Sequence, residues 1–322
     1  MVELRPPLAP TTSPHTPIML AEVLRCLQPR PSDVVVDATL GGGGHAQALL
    51  TRIAPTGTLL GLDVDGVELV RTADRLHQLD LGGARLLTRH ASFADLPDAL
   101  RLAGVPLANA ILVDLGVSSM QMDDPARGLY YKAVGPLDLR LDLTRGEPAS
   151  AWLARQDVAS LAHVLREHAD EPHAAFIAAR LVETRVTTTH ALERVVRTSL
   201  MEAHPDLALA DAKLSVRRTL QALRIAVNDE FTALDRLLDA LPACLAPGGR
   251  VAVLTFHSGE DRRVKQSFRE GRRRGDYSAA AREVIRSTME ETRANRRASS
   301  AKLRWAVRRT LTPIGRPAAG RP

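Results

Sequence analysis

Apolar and polar positions alternate in two rhythms along this chain of 322 residues. Short aliphatic runs predict four strands, the first of them buried: Val34 to Asp37, Thr58 to Asp63, Arg85 to Thr88 and Ala110 to Asp114. Between them, Gly44 to Ile53 and Gly66 to Leu79 carry helical spacing. Strand–helix alternation of this kind implies parallel pairing with helices on both sheet faces. From about Pro125 to Asp211 the strand pattern stops, and Ala149–Leu153, Val158–Leu165 and Ala174–Thr184 repeat at helical intervals instead. The first rhythm resumes with a long amphipathic helix from Arg217 to Leu241 and a turn at Pro247-Gly248-Gly249. A fifth strand from Arg250 to Phe256 and a last one from Lys302 to Arg309 follow. The expected architecture is an α/β, Rossmann-like, doubly wound domain over 15–124 and 212–322. An all-helical insertion interrupts it at 125–211, behind a flexible tail at 1–14.

Composition narrows the class. Aromatics make up only 3%, so the core must be mostly aliphatic. The two cysteines, Cys26 and Cys244, form no C-x-x-C pair, which argues against a disulfide framework or zinc ribbon and fits a reducing cytoplasm. No apolar run approaches the roughly 20 residues that span a bilayer, and the proline-bearing start does not read as a signal. The chain is expected to be cytoplasmic, with no membrane partner and no metal site. Its net charge of +6 is unevenly spread: residues 262–322 hold 18 Lys/Arg against 5 Asp/Glu, and the rest hold 25 against 32. A basic end on a mildly acidic body is the footprint of a polyanion partner, although a solvated tail would look the same.

Candidate chemistry clusters at the strand ends. Asp37-Ala38-Thr39-Leu40-Gly41-Gly42-Gly43-Gly44-His45 lies where the first strand turns into the first helix. Glycines there let the backbone approach a ligand, and the helix start offers free N–H groups. The loop alone fits a nicotinamide dinucleotide or S-adenosylmethionine. Asp63 ends the second strand, where an acid holds ribose hydroxyls in either class. Asp37, a carboxylate beside the loop, suits a cationic amino-acid moiety better than a pyrophosphate. Asp65 reads as a helix cap. Phe93 stands where an adenine ring can be sandwiched, with core packing the blander reading. Asp114-Leu115-Gly116-Val117-Ser118-Ser119 leaves the fourth strand at the edge where doubly wound folds place their sites. An exocyclic base amine is a poor nucleophile because its lone pair is delocalised. Asp114 can orient such an amine and drain its proton as a methyl group arrives. Neither cysteine lies on a strand-end loop, which excludes thiolate-dependent methylation of a pyrimidine carbon.

At these residues the chain resembles the bacterial 16S rRNA cytosine-N4 methyltransferase family (RsmH, or MraW). The resemblance runs from His15-Thr16-Pro17-Ile18-Met19-Leu20-Ala21-Glu22 through the glycine loop. It is densest in Asp114-Leu115-Gly116-Val117-Ser118-Ser119-Met120-Gln121-Met122-Asp123 and Gly135-Pro136-Leu137-Asp138-Leu139-Arg140-Leu141-Asp142. Gln221 to Asn228, Phe256-His257-Ser258-Gly259-Glu260-Asp261-Arg262 and Ser300 to Arg304 complete it. It implies an S-adenosylmethionine-dependent methyltransferase acting on N4 of cytidine 1402 in the decoding centre. The partner implied is 16S rRNA or the small ribosomal subunit, and a homodimer is left open. It also implies cofactor contacts at Gly43, Gly44, His45, Asp63, Phe93, Asp114 and Gln121, with the helical insertion recognising substrate. With the residue-level reading this gives a cofactor set of Asp37, Gly41, Gly43, Gly44, His45, Asp63, Phe93, Asp114 and Gln121. The catalytic set is Asp114, Ser118, Asp138, Asn228 and His257. The chain departs from the family pattern in places. Leu214 to Leu220 stands for the usual His-Pro-Ala-Thr-Arg-Thr-Phe, Gly259 replaces a leucine, and Val134 replaces an acid. Pro172 to Phe176 lacks the usual basic and aromatic run.

Blander readings compete at several positions. Asp138, Arg140 and Asp142 alternate with leucines, as an exposed edge segment would. Asn228 is a core polar group or a base contact, the two evenly weighed. His257 reads as structural or site-facing, without metal partners. Arg272-Arg273-Arg274 and Arg296-Arg297 are expected to meet phosphates. Competing functions are an amino-methyltransferase of the same fold acting on another nucleic acid or a protein, and a non-enzymatic nucleic-acid binder. A nicotinamide-dependent dehydrogenase is disfavoured because no second nucleotide-binding half follows.

Overall fold

The computed structural model describes residues 17–310; the expected tail at 1–14 and the resemblance at His15 and Thr16 lie outside the described residues. Eight strands form one mixed sheet: β1 (Val34–Asp37), β2 (Thr58–Asp63), β3 (Arg85–His90), β4 (Ala108–Asp114), β5 (Leu245–Thr255), β6 (Tyr277–Ala280), β7 (Ile285–Arg286) and β8 (Lys302–Arg308). Their order is β3-β2-β1-β4-β5-β8-β6, with β7 also paired to β8. The five strands from β3 to β5 run parallel, and β8 pairs antiparallel to β5. Strand order reverses between β1 and β4. The connections leaving their carboxyl ends therefore diverge and leave a crevice there.

Side-chain alternation explains why the strands bury both faces. Val36, Leu60, Ile111, Val113 and Val253 pack on one side against Leu96, Leu100, Leu234 and Leu238. Val35, Leu59, Leu112 and Leu254 pack on the other against Val23, Leu27, Leu49 and Ile53. Continuous aliphatic runs are what a parallel sheet covered on both faces demands. The helices Ala149–Leu153, Val158–Ala169, Ala174–Glu183 and Thr189–Ala203 share a separate core with Leu209–Asn228, through Leu165, Ile177, Leu192, Val196, Val216 and Leu223.

Three sequence expectations change. The single helix expected over Arg217–Leu241 is two helices, Leu209–Asn228 and Glu230–Cys244, because Asp229 adopts the left-handed conformation (φ 50°) between them. The first begins at Leu209, so it crosses the boundary expected at 211/212. The turn at Pro247-Gly248-Gly249 is an irregularity inside β5, whose pairing with β4 shifts between Ala108 and Ala110. Strands β6 and β7 were not expected from sequence. Both are short, and they exist by pairing with β8.

Candidate active site

The crevice between β1 and β4 opens into a cavity of about 1060 Å³. Its floor is the glycine turn. Gly41 and Gly43 have φ of 47° and 72°. A Cβ on Gly43 would lie 2.6 Å from Thr72 Cγ2, so that residue must be glycine for steric as well as conformational reasons. Helix Gly66–His77 buttresses the turn from behind: Thr72 Oγ1 donates to the Gly41 carbonyl (2.6 Å) and the Arg75 guanidinium to that of Gly42. Asp63 accepts from Gly41 N–H (2.7 Å) and from Asp65 N–H (2.8 Å). Helix Gly44–Ile53 has no side-chain cap at its start, so its first-turn amides are free to face a ligand.

Asp114 ends β4 above this floor. Its backbone N–H donates to Thr39 Oγ1 (2.7 Å). Its Oδ2 lies 3.5 Å from His45 Nδ1, while its Oδ1 is buried with no partner among the described residues. His45 cannot satisfy it. Its Nε2 lies 3.0 Å from the Ile18 carbonyl, which can only accept, so that nitrogen carries the proton and Nδ1 is bare. Burial then keeps His45 neutral, its pKa lowered to about 4. Burial likewise raises Asp114 to about 8, helped by the charges of Asp37 and Glu260. Burial raises Asp37 to about 7 as well, against a hydrogen bond from Thr39 N–H. Asp63 is also raised, again by burial. Three carboxylates at neighbouring strand tips, none of them ion-paired with Lys or Arg among the described residues, make a site that gains by receiving positive charge.

A short connection carries the chain away from Asp114. Ser118 Oγ accepts from Gln121 N–H, and Gln121 Oε1 accepts from Ser118 N–H, so both residues are engaged in a reciprocal cap. Gln121 Nε2 also donates to Asp65 Oδ2 (3.1 Å), and Arg127 ion-pairs with the same carboxylate while its Nη1 donates to the Leu141 carbonyl. Asp65 does cap its helix, through Val67 and Glu68 N–H. It also ties the segments after β4 to the sheet, which its sequence context did not reveal.

The opposite wall comes from Leu209–Asn228, Glu230–Cys244 and the start of Ser258–Arg274. His257 and Glu260 form a second reciprocal cap. Burial pushes the Glu260 carboxyl upward, but His257, Phe256 N–H and the Arg224 charge outweigh it and hold it below the usual range. Arg224 makes a bidentate pair with Glu230 (2.7 and 2.9 Å).

The structure brings together Gly41, Gly43, Gly44, His45, Asp63, Phe93, Asp114, Ser118, Gln121 and His257 around the cavity. It does not bring Asp37, Asp138 or Asn228 to the lining. Asp37 is 1% exposed beneath the glycine turn, where it accepts from Thr39 N–H and contributes its charge. Asp138 spends both oxygens on Arg140 (2.8 and 2.9 Å). Asn228 is a brace: its Oδ1 accepts from Leu141 N–H (2.7 Å), and its Nδ2 donates to the Leu139 and Arg224 carbonyls (2.8 Å each). That brace holds Leu139, a left-handed residue (φ 64°), in the cavity wall. Thr72, Arg75, Arg217 and Phe231 were missed, because only tertiary contact brings them to the site; Thr39 lies in the glycine loop, but its bond to Asp114 N–H was not foreseen.

Residues 12–309 match the family model described as the MraW methylase family. Ribosomal RNA small subunit methyltransferase H 2 of Alkaliphilus metalliredigens is 44% identical over 299 residues, covering 91% of this chain and 85% of that protein. Ribosomal RNA small subunit methyltransferase H of Burkholderia vietnamiensis is 42% identical over 254 residues, covering 78% and 79%. Among solved structures, TrmN from Thermus thermophilus aligns at 14% identity with a TM-score of 0.42, over 90% of this chain and 48% of that one.

Proposed function

The chain belongs to the MraW methylase family, and we propose that it transfers the methyl group of S-adenosylmethionine to the N4 amine of a cytidine in 16S rRNA. One observation carries this reading: the buried, partnerless Oδ1 of Asp114 at the tip of β4. An amine that must shed a proton needs an acceptor, and this chain offers one that its own described groups leave unused.

The residues fit the cofactor. Free amides at the start of Gly44–Ile53 suit a carboxylate, and Asp63 suits ribose hydroxyls. The uncompensated acids suit a cation. Bound there, S-adenosylmethionine supplies a methyl group on positively charged sulfur. Asp114 would orient one N–H of the base amine and accept its proton as that nitrogen takes up the methyl group. Positive charge nearby favours the ionised Asp114 that this step requires. Holding both reactants in line supplies roughly 7–11 kcal/mol of the barrier. Gln121 and Ser118 act by fixing the segment after β4, and His257 by capping the helix that follows β5.

RNA as the partner draws support from charge. Exposed Arg262, Lys265, Arg269, Arg272 and Arg273 follow helical spacing along Ser258–Arg274, a track for phosphates. We assign the helices of 149–203 to substrate recognition and the cytoplasm as the site of action. Among the described residues no helix is long and apolar enough to cross a membrane.

The test is methyl incorporation from labelled S-adenosylmethionine into small subunits, naked 16S rRNA, DNA and total protein, followed by nucleoside analysis. N4-methylcytidine from an rRNA substrate, lost in Asp114→Ala, is the expected result. Label entering only DNA or protein would replace the substrate and keep the chemistry. No label anywhere, with folded protein that binds cofactor, would remove the enzymatic reading.

A further inference from the structure

Helix Leu209–Asn228 turns Arg217, Leu220, Gln221 and Arg224 into the cavity, the spacing of a single helical face. Its rotation is fixed from the other side. Ser215 Oγ donates to the buried Glu171 carboxylate (3.0 Å), and Thr219 Oγ1 donates to the Ser215 carbonyl (2.8 Å). Val216 and Thr219 are fully buried. The face therefore sits on a rigid element.

The arginines lining the cavity differ in what they already hold. Arg224 is paired with Glu230, Arg297 with Asp123 (2.8 Å), and Arg75 with the Gly42 carbonyl. Arg71 stands beside Glu68 on the helix that follows Asp63. Arg217 is exposed. Among the described residues no carboxylate lies within 4 Å of it and no acceptor takes its N–H groups. It lines the same cavity as the glycine turn, but from a different element, helix Leu209–Asn228.

We propose that Arg217 binds a backbone phosphate of the target strand and sets which RNA enters the cavity. The inference rests on the RNA-methyltransferase reading above. A planar guanidinium with five donors matches a phosphate in bidentate fashion. An exposed position at the rim suits a backbone that stays outside while its base goes in toward Asp114.

The experiment compares full-length wild type with Arg217→Ala, Arg217→Lys and Arg217→Thr in steady-state methylation of whichever RNA wild type modifies. Cofactor affinity is measured in parallel by calorimetry. Expected is a rise of about tenfold in KM for RNA in the Ala and Thr variants, with kcat within about twofold and cofactor affinity unchanged. A plot of log KM against log salt should be shallower by about one, the mark of one lost phosphate contact. Arg217→Lys should recover most of the salt slope. An unchanged KM and slope in Arg217→Ala would overturn the proposal. So would a fall in kcat alone, which would place Arg217 at the chemical step or in folding. If wild type modifies no RNA, the underlying function fails instead, a distinct result.

Discussion

Replacing Asp114 with asparagine should stabilise the protein without ligand in mild alkali while abolishing methyl transfer. In the fold this carboxyl has a pKa of about 8, against 3.8 for an ordinary one. Between those values the folded chain binds more protons than the unfolded chain. The group's contribution is therefore fully present below about pH 4 and is lost as pH rises through about 8. Each pH unit separating the two values is worth about 1.36 kcal/mol, which sets a ceiling of about 5–6 kcal/mol. The cleft is open and the side chain 28% exposed, so water and a high effective dielectric reduce this to about 2 kcal/mol. Asparagine keeps the shape and one acceptor but cannot ionise. Urea denaturation at pH 5, 7 and 8.5, followed by two probes to check for a single transition, should show wild type losing about 2 kcal/mol more than Asp114→Asn across that range. A smaller decline remains in the variant, because Asp37, at about 7, titrates in the same direction. Methyl transfer should fall by about two orders of magnitude or more, the span of a lost general base. Parallel pH–stability curves for the two proteins would refute the reasoning, since they would mean that Asp114 ionises at no cost.

Other consequences follow from sterics and buried charge. Gly43→Ala must place a Cβ 2.6 Å from Thr72 at a left-handed φ, so calorimetry should find cofactor affinity down by more than about tenfold. Gly41→Ala, whose nearest neighbour would be 3.8 Å away, should cost distinctly less. Arg127→Met strands the buried Asp65 carboxylate and should lower stability by about 3 kcal/mol in thermal melts; an effect below about 1 kcal/mol would show that Asp65 is satisfied without it. Gly259→Leu would drive a Cβ to within 2.7 Å of Phe231 Cζ and should cost about 2 kcal/mol. Combining it with Phe231→Leu should restore part of that loss, and a double-mutant cycle without coupling would disprove the packing argument.

The parts of the fold legible in sequence are those set by local pattern. Val34 to Asp37 and Ala110 to Asp114 announce themselves because buried parallel strands need unbroken aliphatic runs, and the acids that end β1, β2 and β4 follow from where those runs stop. Asp65 was legible as a cap because capping is a three-residue event. Its bond to Arg127 is not, since the two lie 62 residues apart. The same limit hid the break at Asp229, where an apolar face continues while the backbone turns left-handed. It also hid the partners of Asn228, which reads evenly as a core polar group or a base contact, and of Asp138, whose spacing alone reads as an exposed edge segment. Their polar atoms are consumed by Leu139, Leu141 and Arg140, partners that only the folded loop supplies.

Acids without a Lys or Arg partner among the described residues cluster at the strand tips, and this bears on how one site takes both a cation and a polyanion. Asp37 beneath the glycine turn, Asp63 beside it and Asp114 above it are all sites where burial already disfavours the ionised form. Arginines also line the cavity: Arg75 holds the Gly42 carbonyl, Arg224 is paired with Glu230, and Arg71, Arg217 and Arg297 complete the set. A phosphate brought to the floor would meet like charge, whereas one held by the arginines leaves only the base to descend. A cation on the floor relieves the carboxylates and weakens the repulsion the incoming strand feels. The acids that ready Asp114 for proton acceptance therefore also keep the RNA backbone at the rim, so the substrate's geometry and its activation come from one arrangement of charge.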